Sequence, residues 1–238
     1  MTGHVVVTGG ASGIGAAVVE TLRARGNEVT VWDLAEPATD DVRHHRVDVT
    51  DSAAVEEALR ATERDGGPVR HLVTSHGIRG AFVPALDLDP DGVRRMLDVH
   101  VVGTLLTARA VVRRLVDLGL DGSVVTLSST TAYGGWANQS DYGVAKAAVR
   151  QLTENLAIEW APLGVRVNSV APGHTLTPMV QDMIDHGYDV SQVEARMPLG
   201  RLCTPEEMAR EIVHLLIDAT FTTGVCVPVD GGWTAVGK

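Results

Sequence analysis

The feature that most constrains this chain is a β-branched run, His4–Val7, that ends directly in a glycine-rich turn and leads into a helical pattern over Ala16–Arg25, closed by Gly26. The unit of strand, turn and helix then repeats. Glu28–Trp32 and His45–Val47 read as strands, Ser52–Arg64 as a helix and His71–Thr74 as a strand. A long helix follows over Asp91–Leu118, then a strand at Ser123–Leu127, a helix at Asp141–Ala161 broken by Pro162, and a strand at Val165–Val170. Pro205 opens a helix to about Ile217 with Thr204 as its N-cap, and Val225–Val229 is the last strand. Such alternation demands a parallel sheet. The expected fold class is therefore α/β: one doubly wound, Rossmann-type domain over residues 1–238.

Composition narrows the partners. A chain of 238 residues with 45% hydrophobic content can bury a single-domain core. Thirty acidic against 20 basic residues give a formal charge of -10, so the summed field repels phosphate backbones and anionic headgroups. No nucleic-acid partner is expected. Apolar runs are interrupted by Gly, Arg or Asp before they could span a bilayer, and no basic leader precedes one, so the expectation is a cytoplasmic protein without a membrane partner. Cys203 and Cys226 lack CxxC spacing and a matching histidine cluster, which predicts neither a metal site nor a structural disulfide.

The turn reads Thr8-Gly9-Gly10-Ala11-Ser12-Gly13-Ile14-Gly15, with glycines where a backbone must bend sharply and approach a pyrophosphate at a helix N-terminus. A tight structural turn would use the same residues. Asp33, at the end of the second strand, stands near the offset expected of a carboxylate that accepts hydrogen bonds from an adenosine ribose; a solvated strand end is the alternative. A carboxylate there repels a 2′-phosphate, and neither Ser12 nor Leu34 offers the cation such a phosphate needs, so NAD is favoured over NADP. Tyr142 and Lys146, four residues apart on one helix, share a face. An ammonium beside a phenol favours the phenolate and would bring Tyr142 towards neutral-pH proton exchange, whereas a chance surface pair would do nothing. Ser129 leaves the preceding strand at its C-terminal end and could donate to a substrate oxygen.

Together these residues resemble the short-chain dehydrogenase/reductase family in its short, single-domain form. The likeness covers essentially the whole chain. It adds Asp48-Val49 after the third strand, Tyr142-Gly-Val-Ala-Lys146, Asn168-Ser-Val-Ala-Pro172-Gly173, Pro205-Glu206-Glu207 and Asp230-Gly231-Gly232. The resemblance implies catalysis by Ser129, Tyr142 and Lys146. It implies a cofactor cradle of Gly9, Ser12, Gly13, Ile14 and Gly15 at the pyrophosphate, Asp33 at the ribose and Asp48 and Val49 at the adenine. Ser75, Gly77, Pro172 and Gly173 would border it, Tyr142 and Lys146 would face the nicotinamide ribose, Thr175 the carboxamide and Thr177 the pyrophosphate. It further implies a homo-oligomer, commonly a tetramer.

Two positions depart from the family. Thr74-Ser75-His76-Gly77 stands where Asn-Asn-Ala-Gly is usual, and His100 stands in place of the asparagine that binds a relay water beside the lysine. His100 could take that catalytic role, titrating near pH 6.5, or could be a core histidine satisfied by backbone. Thr131, Tyr133, Trp136, His174 and Met179 suggest an apolar and aromatic substrate wall, with Ser129, Thr131, Trp136, Tyr142 and His174 as contacts. Arg79 could meet an anionic substituent or remain a solvated surface residue. The expected partner is a small alcohol or carbonyl compound. Three readings stand: an NAD-dependent dehydrogenase of secondary alcohols or cyclic diols, a carbonyl reductase of an acyl-thioester or polyketide-like substrate, and a cofactor-binding regulatory protein without turnover.

Overall fold

The valine-rich runs become seven strands of one parallel sheet, seen in a computed structural model that describes residues 3–39 and 41–236. The strands are β1 (His4–Thr8), β2 (Glu28–Asp33), β3 (Arg43–Arg46), β4 (Val69–Thr74), β5 (Gly122–Leu127), β6 (Val165–Pro172) and β7 (Cys226–Val229). Their order is β3-β2-β1-β4-β5-β6-β7. β1 and β4 are neighbours although four elements separate them in sequence, and at this reversal a crevice opens outside the carboxyl ends of the strands. β1 and β5 are buried almost throughout, because helices cover both faces.

Helices α1 (Gly13–Ala24) and α8 (Pro205–Val213) cover one face, where Val18 and Leu22 meet Met208 and Ile212 against Val5, Val7 and Val125. α2 (Ser52–Gly66), α4 (Gly103–Leu118) and α5 (Ser140–Trp160) cover the other, packing Leu59, Val111, Leu115 and Leu156 on Val6, Leu72 and Val124. Thr204 caps α8 as expected: its hydroxyl accepts from the Glu207 N–H at 3.2 Å and the Glu207 carboxylate accepts from the Thr204 N–H at 3.0 Å. No described helix is long and apolar enough to cross a membrane.

Three elements differ from expectation and two more were not foreseen. The third strand lies at Arg43–Arg46 instead of His45–Val47, since this edge strand carries polar residues and Val47 is an anchor just beyond it. The long helix divides into α3 (Pro90–Leu97) and α4, joined by a wide π-helical turn at Asp98–Val102. A similar turn at His214–Asp218 ends the last helix early. Two short helices, α6 (Pro178–Asp185) and α7 (Ser191–Arg196), occupy a stretch that showed no helical pattern.

Ile212 is fully buried where α8 meets the sheet, whereas Ile158 on α5 is 77% exposed. Ile212→Ala should cost about 2–5 kcal/mol in urea-induced unfolding, and Ile158→Ala should stay within about 0.5 kcal/mol of the parent.

Candidate active site

A cleft of about 1150 Å³ runs along the carboxyl edge of the sheet from Asp33, Asp48 and Val49 at one end to Tyr142 and Trp136 at the other. The glycine turn forms its floor. Gly9 and Gly13 adopt φ of 66° and 55°, which favour glycine. A Cβ on Gly9 would fall 2.6 Å from the His76 backbone, and one on Gly15 would overlap the Gly9 carbonyl oxygen. Gly15 therefore packs beneath the turn and does not line the cleft, unlike the other cradle residues. Ser12 caps α1 without a side-chain hydrogen bond, so the leading N–H groups of the helix are left for a ligand. Asp33 accepts from the Ala11 and Ala35 N–H groups, both at 3.0 Å, which fixes its carboxylate at the cleft rim. These features fit a dinucleotide laid across the turn.

At the far side, Thr177 caps α6 and sits against Gly13, 3.5 Å from where its Cβ would be. Thr175 is buried and bonds the Gly173 carbonyl at 3.1 Å, while Cys203 holds the same loop through the His174 carbonyl and the Leu176 N–H. Ser75, Gly77, Pro172 and Gly173 also border the cleft.

α5 carries Tyr142 and Lys146 into the cleft beside Ser129, which leaves β5. The Lys146 ammonium nitrogen donates to the Leu127 carbonyl at 2.8 Å and lies 5.5 Å from the Tyr142 ring centre. Burial lowers the lysine to about 7. Burial likewise pushes the Tyr142 phenol up to about 12, against a smaller pull downwards from its hydrogen bond with Ser129. This corrects the expectation that lysine proximity lowers the tyrosine, because desolvation dominates at the phenol and also disfavours the ammonium that would act on it.

The substrate end contains Thr131, Trp136, His174 and Met179. Trp136 stacks on Trp233 with centroids 5.2 Å apart and 19° between planes, and His174 leans on both rings. Tyr133 does not belong to the wall. Its hydroxyl donates to the Cys226 carbonyl at 2.8 Å and its ring lies under Arg150, turned from the cleft. Trp233 backs the wall unannounced by the sequence, brought there by the Asp230-Gly231-Gly232 turn after β7.

The family model described as enoyl-(acyl carrier protein) reductase matches residues 9–234. A cis-4-hydroxycyclohexanecarboxylate dehydrogenase of Sinomonas cyclohexanicum is 39% identical over 243 residues, covering 97% of this chain and 96% of that one. A 2,5-dichloro-2,5-cyclohexadiene-1,4-diol dehydrogenase of Sphingobium indicum is 32% identical over 242 residues, covering 98% and 97%. The chain belongs to the short-chain dehydrogenase/reductase family. Its fold matches the ligand-free aldohexose dehydrogenase of Thermoplasma acidophilum with a TM-score of 0.92 at 28% identity, over 99% of this chain and 95% of the other. As a short-chain dehydrogenase/reductase it binds a nicotinamide cofactor.

The two departures from the family pattern lie together beside Lys146. His76 bridges β1 to the π-helical turn: its Nδ1 is 2.6 Å from the Thr8 hydroxyl and its Nε2 is 3.1 Å from the Val99 carbonyl. A carbonyl only accepts, so Nε2 carries the hydrogen and Nδ1 accepts from Thr8. His100 is 2% exposed, with Nε2 at 3.0 Å from the Ile78 carbonyl and 3.1 Å from the Ile78 N–H. Its Nδ1 is buried and bonded to no group among the described residues, and its ring meets Tyr142 edge-on at 5.6 Å. Burial and the nearby Lys146 lower His76 to about 4 and His100 to about 3, so His100 does not titrate near pH 6.5. His71, buried on β4, is also lowered to about 4.

All three imidazoles bind protons less well folded than unfolded, so their contribution to stability is complete above about pH 6.5 and is lost as pH falls. These three protons should contribute about 4 kcal/mol per pH unit to the slope between about pH 5.5 and 4.5, on top of the smaller shares of His4, His45 and His174, which burial lowers as well. Urea unfolding over that range should show it, and His100→Asn should reduce the slope by one proton's worth, about 1.4 kcal/mol per pH unit.

Proposed function

We propose that the protein is an NAD-dependent dehydrogenase that oxidises a secondary alcohol on a ring, and reduces the corresponding ketone, through Ser129, Tyr142 and Lys146. The observation that carries this is one cleft with Asp33 at one end and the serine, tyrosine and lysine at the other. The relatives named for hydroxycyclohexanecarboxylate and cyclohexadienediol favour a ring substrate, and the Trp136–His174 wall offers it flat apolar faces.

Bound oxidised NAD supplies the hydride acceptor and a positive ring charge. Ser129 holds the substrate oxygen, and Tyr142 takes its proton as the alcohol is oxidised. Lys146, poised at about 7, can hold a ribose hydroxyl and take a proton from the tyrosine side near neutral pH. His100, neutral throughout, is the residue through which that proton reaches water: Nε2 rests on Ile78 and Nδ1 is left to bind a water molecule. The wide turn that carries His100 supports this assignment, since π-helical turns recur at functional sites.

The NAD preference rests on Asp33 and on exposed Leu34 beside it. Arg46 stands opposite Asp33 in the sheet register but does not line the cleft, and Arg95, which does line it, lies near Asp48 instead. The reading is completed by a single domain acting in the cytoplasm as a homotetramer. The common sheet and the exposed Val116 and Phe221 side chains support one domain with surfaces to cover.

NAD should exceed NADP by at least about tenfold in kcat/KM, roughly 1.4 kcal/mol, and Asp33→Ala should narrow the gap mainly by weakening NAD binding. Initial rates of reduced-cofactor formation check this, and equal efficiencies would reject it. Tyr142→Phe should lower turnover at least about a thousandfold while NADH binding, followed by fluorescence, stays nearly intact. Retention of more than about a tenth of the parent rate would remove Tyr142 from the mechanism.

A further inference from the structure

We propose that Arg79 is an anion-binding residue at the substrate end and that the ring alcohol turned over here carries a carboxylate. The proposal rests on the reading of the site as a ring-alcohol dehydrogenase and names the substituent it selects. Arg79 and Phe82 line the cleft on the loop after Gly77. That loop is fastened to the catalytic helix. A Cβ on Gly80 would sit 3.1 Å from that of Tyr142, and the Ala81 N–H donates to Asp141 Oδ2 at 2.8 Å. Asp141 is 3% exposed, and its other oxygen accepts from the Tyr142 N–H at 2.7 Å. One buried carboxylate thus ties the loop to the residue that exchanges the substrate proton, so the arginine stands at a fixed remove from the reacting oxygen.

The guanidinium is oriented as well as placed. It lies 5.4 Å from the Phe82 ring centre, and Phe82 takes φ 55°, a left-handed conformation that is strained for a bulky aromatic. No acidic side chain among the described residues pairs with Arg79, although Arg23, Arg25, Arg114 and Arg201 each hold a carboxylate in this acidic chain. The other ionisable groups at this end leave it uncompensated. Asp182 and His186 face each other at 3.4 Å, burial and Arg196 disfavour the charged form of His174, and both Asp141 oxygens are engaged by backbone N–H groups. Arg95 and Arg196 also lack a carboxylate partner among the described residues, but Arg95 lies near Asp48, and Arg196 lies 4.0 Å over Trp233, behind the wall and outside the cleft lining. A planar guanidinium with free donors, held beside an apolar ring wall, matches a carboxylate on the ring.

The test uses cis-4-hydroxycyclohexanecarboxylate and its methyl ester as NAD-linked substrates. The parent should favour the carboxylate over the ester in kcat/KM, and Arg79→Gln should lower that ratio at least tenfold. Arg196→Gln should keep the ratio within threefold. In the NADH complex, cyclohexanecarboxylate should bind the parent at least tenfold more tightly than Arg79→Gln, read by tryptophan fluorescence without turnover. If the parent oxidises ring alcohols with no preference for the carboxylate, or accepts neither probe while oxidising other ring alcohols, the proposal is overturned and the dehydrogenase reading stands. A ratio that survives Arg79→Gln moves the anion to another residue and overturns the assignment. If no alcohol yields NADH, it is the dehydrogenase reading that fails, and the cyclohexanecarboxylate titration still decides whether Arg79 holds an anion.

Discussion

The close approach of backbone to backbone at Gly9 and Gly15 is the constraint on which the cleft depends. The carbonyl of Gly9 lies where a Cβ of residue 15 would be, and the His76 backbone lies where a Cβ of residue 9 would be. Three segments converge there: the turn after β1, the first turn of α1 and the loop after β4. Any side chain at either position would lift α1 from the sheet and move its N–H groups from the cleft floor. Ser12 leaves those groups uncapped, so the same sterics that build the fold also leave it a patch of partial positive charge. Cradle and core are thus one construction, with Val18 and Leu22 seating the helix against α8 on the side away from the ligand.

Burial sets the chemistry at the other end of the cleft. It disfavours charge on both members of the Tyr142–Lys146 pair, raising the phenol and lowering the ammonium. Neither residue is charged for free in this pocket. Proton exchange here would therefore be coupled to what enters the cleft, since a bound group carrying positive charge would work against the desolvation that keeps the phenol protonated. Ser129 acts in the same direction through its hydrogen bond. In the proposed reaction Tyr142 would become a competent base only once that desolvation is offset.

Much of this was legible in the sequence where one physical demand dominates. β1 and β5 are buried on both faces, and their unbroken valine runs declare them. The glycines, Asp33 and the Tyr142–Lys146 spacing are likewise local statements of geometry. What stayed hidden depends on partners distant along the chain. β3 is an edge strand whose Arg-His-His-Arg sequence carries no burial pattern. The extra residue of the π-helical turn cannot be seen in a helical period, because the apolar positions on either side keep their spacing closely enough to read as one helix. Trp233 reaches the wall only through the turn at Asp230, and Tyr133 leaves it for a carbonyl on β7. The direction of the Tyr142 shift was misread for a related reason: four-residue spacing reports a neighbour's charge but not the loss of solvent around both groups.

The two histidines that replace the usual residues of this family are physically one device. His76 ties β1 to the wide turn through Thr8 and the Val99 carbonyl, and Gly103, at the start of α4, leaves the room for it: a Cβ there would lie 3.2 Å from Nε2. Val99 precedes His100, so the bond that fixes its carbonyl also fixes where the next side chain leaves the turn. His100 then spans to Ile78, on the loop that continues from His76, and closes a ring of contacts over Lys146. Both imidazoles are kept neutral by burial and by the same lysine. A charged histidine in either position would repel Lys146 and would lose the acceptor nitrogen that Thr8, or a relay water, requires. Neutrality is thus a condition of the geometry, and the loss of both on acidification would follow from the same protonation events that destabilise the fold.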